Sequence, residues 1–513
     1  MPGVVATPVG RASSRRRSPH AHPDALYVTG ALVGMQPAHP DRARVLELGC
    51  GDGANLLPIA FHLPQADVVG LEEDDALRAR AAEGIDALRL EHVRLATTTD
   101  ELDGRFDYVL VPELLLRPGA TIDPVLAAIA AHLEPHGVAF VAHATPSGRA
   151  LPNELAVALQ ASTREARDVE EALALARRAL HAMAAHLPVD DHPYARVLAF
   201  ELGRAMHADD AELLTDYLLP PPEALRRGEL EARAAEVGLA VVAELGPSTA
   251  DPRAGEALRR GLAPHGEPFA VEVWADLLQG RDVRWIALAR HEVAPEVSSE
   301  PQLGIGRIAC PLAPLDPDPW LGPRAPLAFV GPDGYERVVE HPAEKAALIT
   351  LAQAWPRPLA FGELLESAAL LLRDSPAATA LDAEGARRIA LLLVELRRHR
   401  VLRTTSRTLR RPESTPEAPR VSALARYEAD RGGALTTPYH DAVSLDPIER
   451  LLVTHLDGRP LDAVAAELRA LVDDGTLAFY DGPEPWPRHV LLRVLDERLA
   501  SLSQRLTRAA LLV

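Results

Sequence analysis

Lysine is almost missing. Lys345 is the only lysine among 513 residues, and arginine carries nearly all of the cationic charge. The abundance of Ala and Pro fits codon bias in a GC-rich genome, and amine chemistry on the chain's own side chains has almost nowhere to occur. Basic charge as a whole is also short: Lys and Arg number 54 against 73 Asp and Glu, a formal net charge of −19. That argues against a general nucleic-acid-binding surface, which needs a basic stripe. Cysteine is scarce. Cys50 and Cys310 cannot build a disulfide framework or a zinc site, and His192, His207, His265 and His291 lack ligand spacing, so no metal is expected. A reducing cytoplasm fits two cysteines. Long apolar runs are absent too: no stretch of ~18–20 uninterrupted apolar residues exists to cross a membrane. No signal-length apolar run follows Arg15, Arg16 and Arg17, and no internal repeat is visible.

What is present is a long, ordinary globular composition, 47% apolar and 25% charged. At roughly 100–200 residues per domain, such a length predicts three or four domains. Residues 1–20, rich in Arg, Ser and Pro, are expected to be disordered. Residues 21–150 alternate strands with helices, which predicts an α/β, Rossmann-like domain with a parallel sheet. Its strands are read at Arg44–Leu48, Asp67–Leu71, His92–Leu95, Phe106–Val111 and Val138–His143. Residues 151–293 read as a mostly helical middle domain, with a strand near 239–244 and a helical pair at Phe269–Gln279 and Val283–Leu288. Its apolar stripes allow a homodimer. The Pro/Gly-rich 294–339 reads as a connection. Residues 340–405 read as a winged-helix-like module ending in a wing strand, 406–420 as a linker, and 421–513 as a C-terminal module closed by an amphipathic helix.

The chemistry concentrates in Val45-Leu46-Glu47-Leu48-Gly49-Cys50-Gly51-Asp52-Gly53-Ala54-Asn55. The run ends a strand and opens a helix. Gly49 permits a tight positive-φ turn, and the helix start offers free N–H groups to a ligand. The spacing is E-x-G-x-G-x-G rather than the dinucleotide G-x-G-x-x-G. Glu47 at the strand end repels a pyrophosphate and suits a cation, such as the α-ammonium and sulfonium of S-adenosylmethionine. The second strand, Val68-Val69-Gly70-Leu71-Glu72, ends in a carboxylate placed to accept both hydroxyls of a ribose. Glu73 and Asp74 stand beside it to share that role, and Glu73 is also expected at the cofactor. Cys50 reads as a small buried residue of the loop, and Gly49, Cys50, Gly51, Asp52, Gly53 and Asn55 are expected at the cofactor. A generic Rossmann-like turn with solvent-facing acids is the plainer alternative.

These motifs resemble class I methyltransferases over about residues 40–145. More narrowly, the chain resembles bacterial methyltransferases with a methyltransferase regulatory domain, the group that includes rickettsial-type protein lysine methyltransferases. His22-Pro23 before a helix, Asn55-Leu56-Leu57-Pro58 after the loop, and Arg105-Phe106-Asp107-Tyr108-Val109 carry the likeness. So do Trp274–Arg281, Arg426-Tyr427 through His440, and Leu456-Asp457-Gly458. The resemblance implies S-adenosylmethionine as cofactor and lysine-type N-methylation of a protein.

Two segments depart from that family. The third strand leads to Thr97-Thr98-Thr99 and Asp100, where the family has an acid near the adenine. After the fourth strand stands Pro112-Glu113-Leu114-Leu115-Leu116-Arg117, where the family has a His/Tyr/Trp-bearing run. Thr97, Thr98 and Pro112 are therefore expected at the cofactor. Glu113 is the candidate catalytic residue, holding a cationic nucleophile; the N-terminal acid of a surface helix is its other reading. The acceptor is read as a protein side chain. A small molecule or peptide natural product, or a non-catalytic scaffold that keeps the cofactor fold, stand as alternatives.

Overall fold

A computed structural model describes residues 19–187, 193–247, 258–293, 306–331, 334–399, 401–409, 413–481 and 484–513. Residues 1–18 of the segment expected to be disordered lie outside it. Seven strands form the principal sheet: β1 (Arg44–Leu48), β2 (Asp67–Leu71), β3 (Val93–Ala96), β4 (Phe106–Val111), β5 (Leu133–Ala144), β6 (Leu239–Pro247) and β7 (Val283–Arg290). Their order is β3-β2-β1-β4-β5-β7-β6. β1 to β5 pair in parallel, and β7 runs antiparallel to both β5 and β6. β1, β2 and β4 are runs of almost wholly buried residues, as parallel strands covered on both faces require.

Helices supply that cover. α1 (Pro23–Leu32), α2 (Leu56–His62) and α3 (Asp75–Leu88) lie on the side of Val45, Tyr108, Phe140 and Trp285. α4 (Ile122–His132) and the helix Arg227–Glu236 cover Leu46, Val109, Val141 and Ile286 on the other. Each large apolar side chain so buried contributes roughly 1.5–3 kcal/mol. Strand order reverses at β1, between β2 and β4. In an open α/β sheet the carboxyl ends at such a reversal form the ligand crevice.

Two sequence expectations change. Val283–Leu288 is strand β7, not a helix. Its run Val-Arg-Trp-Ile-Ala-Leu is buried on both faces, so it lacks the alternation that marks a strand. With β6, it completes the first sheet, so these two strands of the expected middle domain belong to the N-terminal domain. The Pro/Gly-rich stretch expected as a connection also carries strands, at Arg307–Ala309, Ala313–Pro314, Leu327–Val330 and Glu336–Val339. Its described prolines, such as Pro311, Pro314 and Pro326, fall at strand ends and turns, where no ladder N–H is needed. Ile308 pairs with Leu359 and with Thr404 of the expected wing strand. The module therefore begins at 307, around a core that includes Phe329, Leu348 and Leu393. Lys345 is fully buried there and donates to the Gly322 carbonyl at 2.8 Å.

The chain between β5 and β6 is helical, with helices at Pro146–Thr163, Val169–Ala185 and Pro193–His207. Val157, Tyr194, Val197 and Phe200 are exposed on them. The C-terminal module packs the helices Ala423–Asp430, Pro447–Thr454, Leu461–Asp473 and Arg488–Arg508 around Leu452, Leu468 and Leu499. It docks onto the first domain. Arg431 pairs with Glu83 of α3 at 2.8 Å, and Arg407, just before the module, bonds the His62 carbonyl at 3.1 Å.

Candidate cofactor and acceptor site

β1 and β2 deliver two carboxylates to the same crevice. Glu47 and Glu72 are 1% and 2% exposed. Between them the glycine loop turns back on itself. Gly49 and Gly51 hold φ of 72° and 61°, which strains any residue with a Cβ. At Gly49 a Cβ would also stand 2.9 Å from Leu114. The loop backbone is held in place by Gly49 and Cys50 N–H bonds to the Leu71 carbonyl, at 2.8 and 3.0 Å. Cys50 is buried beside Gly70, and burial pushes its thiol well up. Its burial agrees with the expectation of a small buried loop residue.

Glu47 accepts from Asn55 Nδ2 at 2.9 Å. Burial pushes its carboxyl up to about 8, against the Asn55 bond, with the Glu113 and Glu72 charges adding to the rise and Arg117 opposing it. Glu72 goes the other way. Burial opposes its charge, but the Arg117 guanidinium and backbone donors outweigh burial and hold it below the usual range. It accepts from Gly51 N at 2.8 Å, Asp74 N at 3.1 Å, and Arg117 at 2.7 and 3.1 Å. Arg117 Nη2 also donates to the Gly49 carbonyl at 2.9 Å.

Arg117 was not foreseen as a site residue. It lies 45 residues from Glu72 in sequence, and only the fold over of the segment after β4 brings it there. Pro112 is buried and Glu113 half-buried at the end of β4, and Glu113 is close enough to act on the charges of both Glu47 and Arg117. Leu114 covers Gly49, and Arg117 lies over Gly51. The segment Pro112–Arg117 thus closes across the loop, with a short 3-10 turn at Leu114–Leu116.

The remaining expected residues are dispersed. Asp52 accepts from Ala54 N at 3.3 Å. Glu73 is exposed, and Asp74 caps α3 through Ala76 and Leu77 N–H groups at 2.9 and 3.0 Å. Thr98 is exposed, while Thr97 N donates to Glu101 at 2.8 Å. The acid that folds back to the end of β3 is therefore Glu101 rather than Asp100. The turn Thr99–Glu101 brings it round.

These residues fit a cationic ligand that carries a diol. The carboxylates at the ends of β1 and β2 flank a loop without side chains at Gly49, Gly51 and Gly53. A diol on Glu72 requires Arg117 to leave it. A cavity of about 930 Å³ opens between the domains, lined by His22, Trp285, Trp355, Arg397 and Tyr439 and by none of the glycine-loop residues, Glu72 or Glu113. Trp285 pairs with Ala142 of β5, toward the carboxyl end of the parallel strands. Trp355 and Tyr439 stack with ring centroids 5.5 Å apart.

Comparison with known proteins agrees with this architecture. Residues 46–139 match a family described as "Methyltransferase domain", and residues 417–511 match "PKMT, C-terminal winged helix domain". The solved structure of PKMT2 from Rickettsia typhi in complex with AdoHcy is similar over 96% of this chain and 98% of that one. Its TM-score is 0.75 and its identity 19%, so the likeness is one of fold. An uncharacterized protein of Rickettsia prowazekii, RP028, is 25% identical over 204 residues, 39% of this chain and 82% of that protein. Trans-aconitate 2-methyltransferase of Deinococcus radiodurans is 36% identical over 107 residues, 20% of this chain and 40% of that enzyme. Among the described residues, no helix is long and apolar enough to cross a membrane.

Proposed function

From a chain with a class I methyltransferase domain and a PKMT-type C-terminal winged-helix domain, we propose an S-adenosylmethionine-dependent enzyme that methylates an amine of a protein side chain, of the lysine type. The observation that carries this reading is the pair of buried carboxylates, Glu47 and Glu72, either side of a bare glycine loop. When bound, S-adenosylmethionine supplies an electrophilic methyl group on a sulfonium. Glu47, with Asn55 behind it, receives the α-ammonium. Glu72 receives the ribose hydroxyls once Arg117 swings away, with the loop backbone at Gly49, Cys50 and Gly51 alongside. Thr97 and Glu101 border the base. Aligning the acceptor is the main work, worth up to ~7–11 kcal/mol in favourable systems. The amine must also lose its proton, and Glu113, at the end of β4, is the side chain proposed to orient it and draw the proton away.

The interdomain cavity is proposed to receive the acceptor segment. The exposed Val157, Tyr194, Val197 and Phe200 support a homodimer through the helical region. The reading includes a cytoplasmic location. Pro112–Arg117, which lacks aromatic and histidine side chains, favours a second reading in which a small molecule or short peptide is the acceptor. Methyl-tritiated S-adenosylmethionine, incubated with the protein and a lysate, separates the two. Label in acid-stable protein at methyl-lysine supports the first; label confined to the low-mass fraction supports the second. No label and no calorimetric binding of S-adenosylhomocysteine would overturn both.

A further inference from the structure

Asn55 lies eight residues after Glu47, opens α2, and is 5% exposed. Its amide is bonded at both ends. Nδ2 donates to Glu47 at 2.9 Å, and Oδ1 lies 2.7 Å from His440 Nε2. His440 belongs to the C-terminal module, 385 residues away.

A primary amide offers donors on one side and acceptors on the other, and its two orientations differ by a half-turn. Only one suits a charged Glu47. Turned over, Oδ1 would face the ionised carboxylate, the state that meets a cationic ligand, acceptor against acceptor. With Nδ2 on Glu47, Oδ1 can only accept, so His440 donates from Nε2. The proton on that one nitrogen therefore decides which end of Asn55 meets Glu47.

The fold holds the imidazole there at some strain. His440 is 1% exposed and has φ of 64°, a conformation that L side chains rarely adopt and that marks functional positions when the surroundings enforce it. Thr437 enforces it. Its carbonyl accepts the His440 N–H at 2.8 Å, its N–H donates to the Asp441 carbonyl at 2.9 Å, and its hydroxyl accepts from Asp441 N at 3.1 Å. Asp441 is paired with Arg403 at 2.6 Å. The His22 ring packs against His440, with centroids 5.2 Å apart.

We propose that His440 is a positioning residue of the cofactor site: by fixing the Asn55 amide, the C-terminal module sets how Glu47 meets the cationic end of the cofactor. Cofactor affinity in the first domain is therefore a property of the docked, two-domain protein. The inference rests on reading the glycine loop as the S-adenosylmethionine site.

The test uses the full chain and calorimetric titration with S-adenosylhomocysteine, alongside thermal unfolding without ligand. His440→Phe and His440→Leu remove the donor, and each should weaken binding about tenfold or more, the scale of a lost hydrogen bond to a charged network. His440→Gln keeps an N–H that can reach Asn55 and should stay within about threefold of the parent. The change must appear in the affinity of the folded protein, which a purely structural role would leave alone while lowering the melting temperature. Unaltered affinity in folded Phe or Leu variants would overturn the proposal, as would a folded Gln variant as weak as these two. If the parent protein itself fails to bind, the cofactor reading falls, and this inference with it.

Discussion

The two halves of the crevice are built on different terms. At β1 and β2, every polar group belongs to a closed set of bonds: Glu47 with Asn55, and Glu72 with Gly51, Asp74 and Arg117. After β4, Leu114 covers Gly49 and Arg117 lies over Gly51, while Leu115 and Leu116 turn into the packed core. On the proposed reading, the first half is a preformed receptor with Arg117 as its internal competitor. The second is a lid. On that same reading, the cofactor contacts come from neighbouring segments with His440 as a distant support on Asn55, while the acceptor side rests on how separate parts of the chain come together.

The comparison breaks most sharply at Gly51. Gly51→Asp places a charged Cβ branch at a positive φ, beside Glu72 and Arg117. Calorimetry should find S-adenosylhomocysteine binding lost, by about a thousandfold or more, from strain and like-charge repulsion together. If binding survives, the receptor half is not the cofactor site.

Glu113→Gln tests the other half. Steady-state kinetics should show kcat reduced by about 100-fold, within the range for a lost proton-steering group, with cofactor affinity kept. A parallel loss of affinity would return Glu113 to the receptor half.

Glu47→Gln reads the cost of preformation. The Glu47 carboxyl rises from its usual 4.5 to about 8 on burial. A raised carboxylate destabilises the fold progressively as pH climbs from 4.5, with the full cost reached above 8, on the order of 5 kcal/mol. The Gln variant should therefore melt higher than the parent at pH 8 and about equally at pH 4.5. Its cofactor affinity should fall and lose pH dependence, whereas the parent should bind the cationic cofactor more tightly as pH rises through about 8. Titrations at pH 6, 7, 8 and 9 check both signs.

Arg117→Ala should have the smallest effect, and in the opposite direction. Removing the competitor from Glu72 should tighten S-adenosylhomocysteine binding by about three- to tenfold, the scale of one partly exposed ion pair. Weaker binding would mean that Arg117 serves the ligand rather than rivals it.

The receptor half was legible in the sequence because it is local. Glu47, the glycines and Asn55 lie within nine residues, and Glu72 ends the next strand. The parallel sheet of β1 to β5 followed from the β/α alternation. What stayed hidden came from contacts between distant residues. Arg117 reaches Glu72, and His440 reaches Asn55, only after the chain has folded over. β7 was missed because full burial erases alternation, and the strands within 307–339 because their prolines sit at the ends of very short ladders.

Lys345 gives the experimenter an unusual reagent. The one lysine in the chain is sealed in the core of the 307–405 module, with its Nζ held by a carbonyl. Amine-directed esters and aldehydes added to the folded protein therefore find only its terminal amino group. In a mixture with a lysine-bearing partner, such labels and crosslinks report on the partner's amines with almost no background from this chain.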